Sequence, residues 1–254
     1  MPTFMSTPRA GSLEIVESGE GSAPVVFVHG VLDRGRSFDN VAAILASECR
    51  MAWYDRRGYG DSVDAPGAPV GVDGHIEDLL DVLEGRPAVV VGHSFGGVTV
   101  LGAALAAPHL VRAVVLYETA LAWIPEWDDR VLRSILWGED PEGDAVRMMF
   151  RGRFDEMHPD QQAARLAEAR AFVAEERSVR TGVAPFDVGG LEPPLVFGYS
   201  NSPPFNVVAD HITGMVRQVE IVELPGAGHN AHRTQPGPFA DLVRRGVALA
   251  FARS

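Results

Sequence analysis

The 254-residue chain contains no lysine; all 22 of its basic residues are arginine. That excludes Schiff-base chemistry, a phosphate-binding P-loop and a Ser–Lys catalytic pair, each of which needs a lysine amine. There is one cysteine, Cys49, so no intrachain disulfide and no cysteine-based zinc site can be built. No run reaches the ~18 apolar residues of a membrane span. The first residues, MPTFMSTPRAG, lack the basic start and apolar stretch of a signal peptide, and the chain is read as cytoplasmic. Positive charge is scarce too. The formal net charge of −12 argues against nucleic acid and against an anionic membrane surface as partners.

The composition that remains, 46% hydrophobic and 22% charged, is that of a globular protein, and the length suits one α/β domain over 1–254. Short apolar, β-branched runs recur between Gly- and Pro-rich turns, at 3–7, 13–18, 25–28, 50–54, 88–91, 113–117, 195–199 and 220–224. The first two are joined by Pro-Arg-Ala-Gly and predict an antiparallel hairpin. The others are continuously apolar, the pattern of parallel strands buried on both faces. Helical spacing appears at 37–47, 75–84, 95–107 and 238–252. The expected architecture is therefore a mostly parallel, eight-stranded α/β sheet flanked by helices. Residues 118–194 are too long for a plain connection, and 160–179 is strongly helical in composition. The segment 122–185 is expected to be a helical cap inserted after the sixth strand.

Gly92-His93-Ser94-Phe95-Gly96 is a G-x-S-x-G sequence. It follows a buried strand and opens a helix, the setting of a nucleophile elbow. Glycines at 92, 96 and 97 leave room for the sharp turn, and the helix N-terminus directs free backbone N–H groups beside Ser94.

With this motif in place the chain resembles the α/β-hydrolase superfamily, specifically its capped, single-domain bacterial serine hydrolases. Three further blocks carry the resemblance in the right order: His29-Gly30 after the third strand, Asp55–Ser62 (DRRGYGDS) after the fourth, and Gly226-Ala227-Gly228-His229 after the last. The resemblance implies the α/β-hydrolase fold, Ser94 as nucleophile, His229 as general base, and the backbone N–H groups of Val31 and Phe95 as the oxyanion hole. His29 is expected to brace the oxyanion loop, and the Arg56–Ser62 block to be a structural turn. Neither a metal nor a cofactor is implied.

The third triad member departs from the pattern. The family places an acid just after the seventh strand, where this chain has Asn201. An amide cannot stabilise an imidazolium by charge. Glu118, after the sixth strand, is the carboxylate expected to fill the role, because neighbouring parallel strands end on one sheet edge. Asp210 and no acid at all are the alternatives. The expected activity is hydrolysis of a carboxylic ester or thioester of a small apolar substrate through an acyl-enzyme. Haloalkane dehalogenases and epoxide hydrolases of this superfamily carry Asp where this chain has Ser94. The competing readings are a lyase, cyclase or cofactor-free oxygenase of natural-product metabolism, and a binding protein without turnover. Trp123, Trp127 and Trp137, with Met148, Met149, Phe150, Phe154 and Met157, are candidate walls of an apolar pocket.

Overall fold

In the computed structural model, the described residues are 5–8, 13–200 and 203–252. Asn201 lies outside them. Eight strands form one sheet: β1 (Met5–Pro8), β2 (Glu14–Ser18), β3 (Ala23–Val28), β4 (Cys49–Tyr54), β5 (Ala88–His93), β6 (Val111–Tyr117), β7 (Leu195–Tyr199) and β8 (Val219–Glu223), in the order β1-β2-β4-β3-β5-β6-β7-β8. β1 pairs antiparallel with β2, and β2 with β4; all other pairings are parallel. The apolar runs therefore form the strands expected of them.

The helices are α1 (Asp39–Leu45), α2 (Val72–Leu83), α3 (Phe95–Ala106), α4 (Arg130–Leu136), α5 (Pro141–Phe150), α6 (Pro159–Ser178), α7 (Phe205–Met215), α8 (Ala231–Thr234) and α9 (Pro236–Phe251). Strand side chains alternate between faces, and the two faces make two cores. Val26, Val28, Val90, Val114, Leu116 and Phe197 meet α2, α3 and α7 on one face. Val25, Phe27, Val89, Val91, Val115 and Val196 meet α1 and α9 on the other. Double coverage explains why these strands lack polar alternation.

α2 begins three residues before the expected start, because Val72 is buried against Phe95 and Val98. The β6–β7 connection carries α4, α5 and α6. Leu136, Ala145, Ala171 and Phe172 of this connection cluster with Leu32 and Tyr59 from the loops after β3 and β4, and Val146, Phe154 and Ala169 form a second cluster. Ile124, within the expected 122–185 insertion, is buried with the sheet core instead, and Trp123 and Trp127 pack against that core.

The sheet order reverses around β3: β4 lies on one side and β5 on the other. In open α/β sheets the crevice beyond the carboxyl ends of the strands at such a reversal is where ligands bind. The loop after β3 and the turn after β5 meet there.

Candidate active site

Ser94 sits between β5 and α3 with φ 53° and ψ −126°, outside the usual basins of a non-glycine residue. Its N–H donates to Tyr117 O at 3.0 Å, and its carbonyl accepts Gly97 N–H at 2.9 Å. The flanking glycines are sterically required. A Cβ on Gly96 would fall 2.3 Å from Val28 O, and one on Gly92 would fall 2.5 Å from Gly97 Cα. Ser94 thus occupies the N-cap position of α3, next to the free N–H groups of the first helical turn.

The ends of β5, β6 and β7 are in register, His93 beside Tyr117 and Tyr117 beside Gly198, so Ser94 and Glu118 lie side by side on one sheet edge, with Ser200 two residues beyond Gly198. Glu118 is buried and has φ 45°. Its N–H donates to Gly198 O at 3.0 Å. Its Oε1 accepts Ser200 N–H at 3.0 Å and also the Ser200 hydroxyl. Its Oε2 lies 2.7 Å from Nδ1 of His229. Burial pushes the Glu118 carboxyl up, but the hydrogen bonds from His229 and Ser200 outweigh it and hold the group below its usual value. The carboxylate can only accept, so Nδ1 of His229 donates to it, and in the neutral ring this is the tautomer that leaves Nε2 with its lone pair.

The loop bearing His229 is pinned from three sides. Tyr117 donates its hydroxyl to Gly228 O at 3.0 Å, and Nε2 of His93 donates to His229 O at 2.7 Å. The His229 ring lies between His93, with centroids 4.7 Å apart, and Phe205, which stacks on it at 5.4 Å and 11°. Among the described residues no hydrogen bond joins Ser94 to His229. Such contacts commonly tighten only when substrate is bound.

The loop after β3 approaches Ser94 closely: a Cβ on Gly30 would lie 2.9 Å from the Ser94 Cβ. Val31 and Phe95 flank the contact and share an apolar cluster with Val72 and Val98. His29 is wholly buried. Its Nδ1–H donates to Gly30 O at 2.7 Å, and its Nε2 accepts Arg56 N–H at 2.8 Å. Burial, assisted by the Arg56 charge, pushes its pKa down to about 3, so the ring is neutral. Asp55 orders the following turn by accepting Gly35 N–H at 2.7 Å and Asp61 N–H at 3.0 Å, while Arg57 pairs with Asp78 of α2.

Several neighbours escaped sequence reasoning. His75 and His232 are fully buried beside carboxylates: His75 Nε2 is 2.6 Å from Glu175, and His232 Nε2 is 3.2 Å from Asp33. Asp33, His93 and His232 bring potential metal-ligating atoms within 4.8 Å of one another. Both Asp33 oxygens are already engaged, by His232 and Arg233, and His93 Nε2 is committed to His229 O. Ser200 and Phe205 were also missed, since a hydroxyl on a strand end and an aromatic on a helix carry no signature of their own. Asp210 lies on α7 and is exposed.

The expected aromatic wall divides. Trp137 is 53% exposed under Arg133 and Arg177. Phe150, Phe154 and Met157 pack within the β6–β7 connection. Trp127 and Met148 line an open groove of about 580 Å³ with Val131, Leu132, Asp129 and Arg180. The Trp127 ring contacts Phe205 at 5.8 Å, linking the groove to the His229 ring.

Residues 25–242 match the profile of the alpha/beta hydrolase family. The chain belongs to that family. It is 25% identical to the sn-1-specific diacylglycerol lipase ABHD11 of Mus musculus over 89% of this chain and 81% of the lipase. It is 39% identical to lipase LipV of Mycobacterium tuberculosis, over 40% of this chain and 39% of that lipase. Among solved structures, one described under novel epoxide hydrolases from metagenomes of hot environments superposes with a TM-score of 0.74 at 20% identity, covering 97% of this chain and 98% of the other. This hydrolase has no described helix long and apolar enough to cross a membrane.

Proposed function

We propose that this hydrolase cleaves a carboxylic ester or thioester of a small apolar substrate through an acyl-enzyme on Ser94. The observation that carries the reading is the 2.7 Å contact between Glu118 and Nδ1 of His229, on the sheet edge that also presents Ser94. The two named lipases among its relatives agree with ester chemistry. Serine at the elbow separates the chain from the aspartate-dependent epoxide hydrolases and dehalogenases that share its fold.

In the proposed cycle Nε2 of His229 takes the Ser94 proton as Oγ adds to the acyl carbon. Glu118 stabilises the imidazolium and fixes its tautomer. The carbonyl oxygen becomes an anion that accepts from Val31 N–H and Phe95 N–H, and one such donor is typically worth ~3 kcal/mol. His229 then protonates the leaving alkoxide or thiolate. Water, deprotonated by the same nitrogen, releases the acid and restores Ser94. α4 to α6 act as the cap, and the Trp127 groove admits the apolar part of the substrate.

Acyl-enzyme trapping tests this reading. Quenching a reaction with a p-nitrophenyl ester should give intact protein heavier by one acyl group, located on Ser94 by peptide mass spectrometry. Ser94→Ala should remove the adduct while preserving the fold. Normal ester turnover by Ser94→Ala would refute the mechanism.

A further inference from the structure

The Asp55–Ser62 block holds two adjacent arginines with different surroundings. Arg57 is partly exposed against Asp78, whereas Arg56 is wholly buried and paired with a wholly buried Glu175 from α6. Burying such a pair is costly and is weak evidence of added stability, so its geometry is the better guide to its role. Arg56 Nη1 donates to Glu175 Oε1 at 2.6 Å. Its other donors reach the loop after β3: Nε to His29 O at 2.8 Å and Nη2 to Gly30 O at 3.0 Å. Glu175 also accepts the Tyr59 hydroxyl at 2.7 Å, and His75 Nε2 lies 2.6 Å from its carboxylate. The Phe95 ring lies 5.3 Å from the guanidinium carbon, so the ion sits directly behind the elbow.

The Gly30 carbonyl is the informative atom. It accepts from both Arg56 and Nδ1 of His29. In a trans peptide the C=O of one residue and the N–H of the next point in opposite directions. Two donors that draw Gly30 O toward Arg56 therefore aim Val31 N–H the other way. Gly30 itself lies against Ser94. We infer that Arg56, held by Glu175 of α6, is a positioning residue that fixes the Gly30–Val31 peptide with its N–H directed at the oxyanion, so that the β6–β7 connection helps assemble the oxyanion hole. Glu168, also on α6, pairs with Arg34 and accepts Gly60 N–H at 3.2 Å, which ties the same helix to the same loops a second time.

This inference rests on Ser94 acting as proposed above. An aryl trifluoromethyl ketone separates the two. Ser94 Oγ adds to its carbonyl carbon, the proton passes to His229 Nε2, and the resulting hemiketal oxyanion needs the same N–H donors as the reaction. Arg56→Lys keeps a charge beside Glu175 but has one nitrogen, which cannot reach Glu175 and two carbonyls together. Arg56→Met/Glu175→Gln removes the pair. For either variant with a wild-type circular dichroism spectrum, ester kcat should fall about 10²- to 10³-fold. Ketone affinity should fall in parallel, and KM should stay within about threefold because ground-state binding does not use the oxyanion donors. A folded Arg56→Lys with wild-type kcat and ketone affinity overturns the inference while leaving Ser94 as nucleophile. Loss expressed only in KM, or only in thermal stability, overturns it equally. Wild-type protein that forms neither hemiketal nor acyl-enzyme overturns both readings.

Discussion

Glu118 and His29 are both buried, and both depend on a single protonation state. Glu118 must be a carboxylate to accept from His229 and Ser200 at once. Glu118→Gln keeps the shape but removes the charge and allows the wrong His229 tautomer, so acylation should slow by up to ~10⁴-fold. Pre-steady-state release of p-nitrophenol measures this, and an unchanged burst rate would assign the acid role elsewhere. His29 must be neutral, because Nε2 accepts from Arg56 N–H. Its pKa is about 3 in the folded protein against 6.5 for an exposed imidazole. Between those values the unfolded chain holds the extra proton. Stability is therefore full above about pH 6.5 and is lost as pH falls toward 3, at ~1.4 kcal/mol per pH unit for this one group. Urea unfolding at pH 7.5, 5.5 and 4.5 should show a slope smaller by about one proton in His29→Gln than in wild type; identical slopes would contradict the assignment. Ser94 was legible because its motif is local. Glu118 was legible through the alignment of parallel strand ends, a rule of the fold. Asp33, Ser200 and Phe205 were not, because only the assembled loops bring them near His93, Glu118 and His229.

At the scale of elements, the continuous Val-rich runs of β3, β5 and β6 already implied burial on two faces, and the two cores account for it. The elbow was readable for the same kind of reason: its glycines answer to backbone contact. Gly96→Ala would place a Cβ 2.3 Å from Val28 O and 2.5 Å from His29 O, atoms of the strand and loop that cannot rotate away. It should cost about 1–3 kcal/mol, read as a lowered urea midpoint, and should displace Ser94 enough to depress turnover. Gly214→Ala is the control. It lies in α7 with nothing within 4 Å of its Cβ, and should be neutral or stabilising by up to ~1 kcal/mol. Equal losses from the two would show that the elbow is not tightly packed. Boundaries were less legible than cores. The start of α2 and the inner edge of the β6–β7 insertion depend on Val72 and Ile124, whose burial is decided by tertiary partners.

Across the whole molecule, the sheet holds three catalytic candidates on strand ends while the β6–β7 connection reaches back to the loop after β3 through Glu175 and Glu168. The sequence marks α6 as helical, but nothing in its spacing singles out Glu175. Pairing Glu175 with Arg56, 119 positions away, needs the fold itself. The proposed turnover depends on Ser94 being a nucleophile activated by the His229–Glu118 pair. Its sharpest test is the rate at which a fluorophosphonate labels the folded protein, followed by mass spectrometry with wild type and Glu118→Gln side by side. Rapid, stoichiometric phosphonylation of Ser94 is expected in wild type, with labelling slower by orders of magnitude in Glu118→Gln. Absence of labelling in folded wild type, labelling at another residue, or equal rates in the two proteins would contradict it.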